Sequence, residues 1–537
     1  MSSKVFFAQK SLNAPITVFL SVICLAVQGL AQTGPNAPGA DDATAPVATA
    51  ASDGSSPDAD TSPDGAAAPD AAGSPAGAPA PAGQAPRPRS SASTQNKMLP
   101  PQVAPAPGVT TQPLNYRNGD IAASIGTPSL SERFNQLLPP WLRFSGEIRD
   151  RVEGYENAGF KPNSSDFYDL YRLRLGMLVQ PDKWIRFFIE TEDDRAFEKY
   201  PQIPPYQDTW DISKAYVEIG SSELNGFSLR AGRQELYFGN GRFIGNSWWS
   251  NTMRKFDAIR GIYQNQRFRV DLFASSVVIN RDGVINHHNP GNNLYGAYGT
   301  IKNPVPKSQL EPFVFWHVQS GATLKSGKLG HLDQWTTGVR FLGSLPAGFD
   351  YRTEMAIQRG ELGPSDITAW TGHWVVGKTF RDVFLTPRPF VEYNFASGDN
   401  NPKDMSETST FDPIYPSTHD KIGLADQVGW RNVRDLRFGL DIRPTKKWAL
   451  NTDFHDLWLA DAKDSLYPTR GAVVAKDPTG ASGTHIGEEF DIQAIYKPTL
   501  QWQAGVGFGR LFTGEFLNKT TKGKDYSYPY VLFDYVF

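Results

Sequence analysis

The stretch YRLRLGMLVQPDKWIRFFIETED, residues 171–193, decides the fold. Tyr171, Leu173, Leu175, Met177 and Val179 share one side, while Arg172 and Arg174 take the other. After Pro181-Asp182 the alternation resumes, with Ile185, Phe187 and Ile189 opposite Arg186, Glu190 and Glu192. A period of two belongs to a strand with two unlike faces. Two such runs joined by a tight turn make a hairpin, apolar on one side and charged on the other. The pattern returns in KAYVEI (214–219), and again in DLRFGLDIR (435–443), where Leu436, Phe438, Leu440 and Ile442 oppose Asp435, Arg437, Asp441 and Arg443.

Extended along the chain, this reading predicts eighteen strands at 141–153, 167–180, 183–194, 210–220, 226–236, 255–264, 267–277, 293–302, 309–318, 332–343, 348–359, 367–378, 387–395, 434–443, 447–458, 488–497, 501–511 and 527–537. Connections at 181–182, 264–266 and 444–446 are tight. Those at 195–209, 237–254, 278–292, 396–433 and 459–487 are long and rich in Gly, Asn, Asp and Pro. Short turns at one end and long loops at the other are how an outer-membrane barrel is built. A soluble sandwich or propeller lacks that asymmetry, and no blade-length repeat is present.

The expected fold is therefore all-β, an antiparallel transmembrane barrel. In lipid every backbone group needs an internal partner, which a closed barrel supplies. The apolar face must point outward, because each arginine facing lipid at the midplane costs about 2–4 kcal/mol. Composition agrees. At 537 residues, 39% hydrophobic and 20% charged, the chain is too polar for a bundle of membrane helices. Its net charge of −3 gives no sign of a nucleic-acid binder, and its single cysteine, Cys24, excludes a disulfide framework.

The ends carry further signals. Lys4 and Lys10 precede an apolar run from Ala14 to Ala31, the layout of a secretory signal over residues 1–31. Residues 32–113 are Ala, Pro, Gly, Ser and Asp with few large apolar side chains, so they cannot bury enough surface to fold. They read as a disordered periplasmic linker, or as an arm for a periplasmic partner or the cell wall. Residues 114–140 link this tail to a barrel over 141–537. In YPYVLFDYVF, Val531, Phe533, Tyr535 and Phe537 share a face, resembling the C-terminal signal read by barrel-assembly machinery. The expected location is the outer membrane of a Gram-negative-type bacterium, in contact with its lipid.

Four stretches together resemble the alginate export family. They are FSLRAGRQELYFGNGRFIG (227–245); WWSNTMRKFDAIRGIY (248–263); FVEYNFASGDNNPKD (390–404) with FDPIYPSTHDKIGLADQVGWRN (411–432); and DFHDLWLAD (453–461) with GTHIGEEFDIQAIYKP (483–498). The resemblance implies an eighteen-stranded barrel that exports an anionic polysaccharide through an arginine-lined pore, without catalysis or cofactor. Arg230 and Arg233 match its Arg-x-Gly-Arg-Gln run, and Glu489 and Asp491 its late acidic positions. Parity places Arg233 opposite Arg230, so either a bulge intervenes or Arg233 lies at the mouth.

Parity assigns Arg172, Arg174, Arg230 and Arg437 to the lumen, with Glu190, Asp453, His455, Glu489 and Asp491. Guanidinium forks in series suit a polyanion, provided each contact stays weak. Acids on the same parity nearly match the bases in number, so cross-strand ladders are the competing reading. A barrel of this size leaves an aqueous channel unless a loop folds in. The long 396–433 loop is large enough to do so, and its SGDNNPKD run could bind Ca²⁺, although it lacks EF-hand spacing. A general porin for sugars or small anions is the nearest alternative. A hydrolase built on Asp453, His455 and Asp456, or on His485 and Glu489, is more remote, because no nucleophile motif or metal helix accompanies them.

Overall fold

The structure, a computed structural model, describes residues 130–220, 226–417, 419–499 and 501–537. The signal at 1–31, the tail at 32–113 and the first part of the 114–140 linker lie outside the described residues. Eighteen long strands follow: β1 Leu142–Tyr155, β2 Asp166–Asp182, β3 Ile185–Phe197, β4 Asp208–Gly220, β5 Gly226–Gln234, β6 Phe256–Gln264, β7 Phe268–Ile279, β8 His287–Lys302, β9 Ser308–Thr323, β10 Leu329–Ser344, β11 Phe349–Leu362, β12 Ser365–Lys378, β13 Arg388–Ala396, β14 Val433–Thr445, β15 Trp448–Leu459, β16 His485–Tyr496, β17 Trp502–Thr513 and β18 Tyr526–Val536. Each pairs antiparallel with its sequence neighbours. β18 then pairs with β1, with Arg149 opposite Asp534 and Glu153 opposite Tyr530, and the barrel closes. A closed ladder leaves no edge to satisfy in lipid.

The two faces behave as the alternation requires. Phe187, Leu229, Ile259, Leu272, Val391, Phe490 and Val531 are exposed on the outer wall, where lipid covers them. Their neighbours Arg172, Arg174, Glu190, Arg230 and Asp271 are buried inside. Aromatic pairs mark both rims of the apolar band, including Trp448 with Tyr496 at the short-turn end and Trp316 stacked on Trp335 at the other. A short helix, α1 (Leu130–Asn135), precedes the barrel, and Asn135 clamps the backbone of Phe144 through two hydrogen bonds of 2.8 Å.

Two features depart from the sequence reading. The long–short alternation is not strict. Residues 324–328 and 363–364 are tight turns on the long-loop side, and 379–387 is a longer connection on the short-turn side. Strands β9 and β10 simply run on until the hairpin turns, so no loop is needed. Strand β8 likewise begins at His287 rather than 293. Beyond the lipid band the ladder persists without apolar alternation, which is the signal that sequence patterning detects.

Candidate functional site

The lumen is occupied. The loop between β5 and β6 (235–255) and the loop between β13 and β14 (397–432) both turn inward. They meet each other through a bridge between Ile244 and Tyr415. Leu236, Phe238, Phe243, Trp248, Trp249 and Met253 of the first loop, and Phe411, Ile422, Leu424, Val428 and Trp430 of the second, belong to one buried cluster. The wall meets them in kind. Phe273, Tyr298, Phe313 and Phe315 point inward from β7, β8 and β9, with Phe238 4.9 Å from Tyr298 and Phe243 5.0 Å from Phe313, ring centre to ring centre. Of the two courses open to a barrel of this width, an aqueous channel or an infolded loop, the lumen takes the second and holds a plug with its own apolar core, because these loops carry aromatic groups that water would not solvate.

The charged wall grips the plug. On β1, Arg149 donates to the carbonyls of Trp248 (2.6 Å) and Ser250 (3.0 Å). Arg151 donates to the Trp249 carbonyl and holds its guanidinium carbon 4.0 Å from the centre of that indole. On β2, Arg172 pairs with Glu147 and reaches the carbonyls of Trp248 and Ser250 at 3.2 Å, and Arg174 pairs with Glu192 at 3.0 Å. From β16, Asp491 accepts the Leu424 N–H (3.0 Å) and Glu489 the Ala425 N–H (2.8 Å). Glu489 and Asp491 therefore hold the second loop rather than face an open pore.

The remaining candidates form ladders. Glu190 pairs with Lys214 (3.1 Å), and Arg230 and Arg186 share Glu218. Arg437 spans Glu392 (3.3 Å) and Asp453 (2.7 Å), and His455 Nδ1 lies 2.9 Å from Asp435. Arg233 keeps the parity opposite to Arg230, and its side chain is mostly buried at the rim, 3.9 Å from Asp211. The β5–β6 register has no shift, and at the rim Arg233 pairs with Asp257 (2.9 Å) and donates to the Asn286 carbonyl.

Gly423 fixes how close the second loop comes. It has φ +80°, and a Cβ there would lie 2.2 Å from Glu489 Oε1. The left-handed backbone alone costs a substituted residue about 1–2 kcal/mol. Gly423→Ala should therefore loosen the plug and leave the barrel closed. Limited proteolysis of the folded protein should show faster cleavage within 397–432, with the heat-modifiable band of the barrel retained. Unchanged cleavage would mean that the loop is not held at this point.

Charge is sorted by height. Arg149, Arg172 and Arg174 are fully covered by the plug. Toward the short-turn end, Arg143, Arg186, Lys302, Arg352, Arg443 and Lys497 share the lumen parity but remain partly exposed. There two arginines sit on Glu218, and Arg260 and Arg269 share Asp271. Among the described residues, Lys302, Arg352, Arg443 and Lys497 have no acid within ion-pairing distance. The periplasmic mouth thus carries an excess of cations beneath the plug.

Three clusters could hold a metal or resemble a place for one. Glu192, Asp208 and Asp211 converge inside, but the ammonium of Lys255 sits among them, 2.9 Å from Asp211. Burial alone would lower the Lys255 pKa, and these carboxylates hold it above its ordinary value. The SGDNNPKD loop is filled in the same way. Lys325 places its Nζ 2.6 Å from Asp399, 2.6 Å from the Asp404 carbonyl and 2.7 Å from the Glu407 carbonyl. A tethered ammonium thus occupies the oxygen ring that suggested Ca²⁺. Asp456, His485 and Glu488 gather on the outer rim, with ligand atoms within 4.8 Å of one another.

That last grouping dissolves both hydrolase constellations. Asp456 points outward while Asp453 and His455 point inward. The register shifts at Leu457/Trp458, where Gly487 has φ +146°, and this turns His485 outward and away from Glu489. A sequence count of four could not register that irregularity. The plug aromatics were the residues missed outright, although ELYFGNGRFIGNSWWSN (235–251) carries Tyr237, Phe238, Phe243, Trp248 and Trp249, far more ring surface than a solvated loop needs.

A family model described as alginate export matches residues 140–528. No curated protein matches the chain. Among solved structures, OpdQ of Pseudomonas aeruginosa is similar at 11% identity, covering 74% of this chain and 97% of its own, with a TM-score of 0.50. OccAB2 of Acinetobacter baumannii is similar at 11% identity, covering 73% and 98%, with a TM-score of 0.49. OpdP (OccD3) of P. aeruginosa has 12% identity over 74% and 91%, with a TM-score of 0.48. At such identity the likeness concerns the barrel alone.

Proposed function

This chain belongs to the alginate export family of outer-membrane barrels, and from that premise we propose that it is a gated conduit passing an anionic polysaccharide, a polyuronate, outward from the periplasm. The observation that carries the reading is the cation excess at the short-turn mouth, where Lys302, Arg352, Arg443 and Lys497 have no acid within ion-pairing distance among the described residues. A guanidinium meets a carboxylate through two parallel hydrogen bonds, so weak sites in series can hand a polymer along. A neutral sugar would gain nothing from such a mouth. The plug argues against a general porin, since a nonspecific pore has no use for a buried aromatic core across its lumen.

The test is single-channel recording of the refolded protein in planar bilayers, with alginate and a neutral oligosaccharide added in turn. Anion selectivity with a response to alginate alone is the expected result; current indifferent to both polymers would leave a general or sugar-selective porin. In the same reading, residues 32–113 are a periplasmic tether or partner arm, and the aromatic face ending at Phe537 is what assembly machinery engages. Deleting residues 32–113 should leave conductance unchanged; loss of conductance would join the tail to the pore.

A further inference from the structure

Arg149 differs from the arginines beside it. Arg151, Arg172 and Arg174 sit on Glu153, Glu147 and Glu192. The Arg149 side chain is fully buried, 0% exposed, and among the described residues its guanidinium meets only neutral oxygens. These are the carbonyls of Trp248 (2.6 Å), Ser250 (3.0 Å) and Trp249 (3.4 Å), and Asn251 Oδ1 (3.3 Å). Its Nε has no acceptor at all. Asp534, opposite on β18, and Glu147 attract the charge from a distance, but neither forms an ion pair with it. Carbonyl dipoles solvate such a charge without neutralising it, and a buried unpaired cation is costly.

The acceptors come from one turn. Ser247 has φ +52°, and the Ser250 N–H returns to its carbonyl at 2.9 Å. This aims three successive carbonyls at Arg149, Arg151 and Arg172. Arg149 and Arg172 are direct cross-strand partners, about 5 Å apart at the backbone. Arg151 lies two positions along, about 7 Å away. Three arginines gathered on one patch of wall can meet more than one carboxylate of the same polyuronate.

We propose that the 247–251 turn is a built-in surrogate for the polymer: its carbonyls hold a carboxylate site centred on Arg149, and an arriving polyuronate opens the lumen by taking that site. The inference rests on the polyanion reading above and adds that the cargo itself releases the plug. A charge-assisted bidentate pair outcompetes neutral carbonyls at the same fork. The other end of the loop stays tied through Lys255 to Glu192 and Asp211, so the turn can swing while its anchor holds.

The test uses the full chain in planar bilayers, with oligogalacturonate added on the periplasmic side and a neutral glucan of equal length as control. The readout is the ratio of open probability with and without polymer. In the wild type oligogalacturonate should raise it about tenfold or more, the step from a neutral to a charged acceptor. In Arg149→Gln the ratio should fall toward one, and Arg149→Lys, with the charge but no fork, should lie between. A ratio in Arg149→Gln equal to that of the wild type overturns the proposal. Trp249→Ala, with its plug already loosened, separates the two readings. If oligogalacturonate blocks that open pore yet fails to open the wild type, cargo-driven release is wrong and the polyanion reading stands. If it does neither, the polyanion reading falls and this inference with it.

Discussion

Trp249→Ala should raise the resting open probability of the channel about a hundredfold or more, since removing a buried tryptophan costs about 3–5 kcal/mol and each 1.4 kcal/mol is a factor of ten. The indole is a meeting point of wall and plug. Arg151 covers one face at 4.0 Å, and His419 of the other loop stacks at 3.8 Å with the planes 5° apart. Its Nε1–H donates to Tyr528 at 3.2 Å, and Tyr530 packs edge-on at 4.8 Å. Truncation therefore cuts ties to both the barrel and the second loop. Because the strands close the barrel without it, the heat-modifiable gel shift should persist. A Trp249→Ala barrel that is intact and still silent in bilayers would show that the first loop is not the barrier.

Reversing charge at the mouth should have the next largest effect. In the Trp249→Ala background, Arg352→Glu with Arg443→Glu should lower the anion-to-cation permeability ratio by ten- to a hundredfold. Each reversal changes the energy of a monovalent anion about 5 Å away by about 1.6 kcal/mol in water. Two reversals together amount to about 3 kcal/mol before salt screens them. Among the described residues no acid lies within ion-pairing distance of either, although Glu392 attracts Arg352 from further off, so the substitution breaks no direct ion pair. Reversal potentials in a KCl gradient measure the ratio, and the effect should shrink toward 1 M salt. A ratio unmoved by both substitutions would mean that these side chains do not face the permeation path.

The strands and their two faces were legible in the chain because the lipid enforces them residue by residue. Outward positions within the lipid band, such as Phe187 and Val531, had to be apolar, and period two exposes that demand locally. Height along the barrel was not legible. Arg172 and Arg352 share a parity, yet one is sealed beneath the plug and the other stands in the mouth. Parity fixes a face, whereas docking of a loop a hundred residues away decides what covers it. Glu489 and Asp491 show the same limit, since their partners are backbone amides of Leu424 and Ala425 that no side-chain pattern announces. Arg233 was readable to within two alternatives, and the unbroken β5–β6 register selects the mouth.

The lysine held in the oxygen ring of the 397–408 segment has a consequence for conditions outside the cell. Lys325 brings its ammonium from a neighbouring hairpin to Asp399, Asp404 and Glu407, at the end of the barrel that faces the medium. A loop closed by a borrowed ion would come and go with the supply of that ion, and chelators would open it. Here the cation is covalently owned by the chain. Scarcity of calcium or magnesium leaves it in place, and this part of the surface keeps its shape in waters of any hardness.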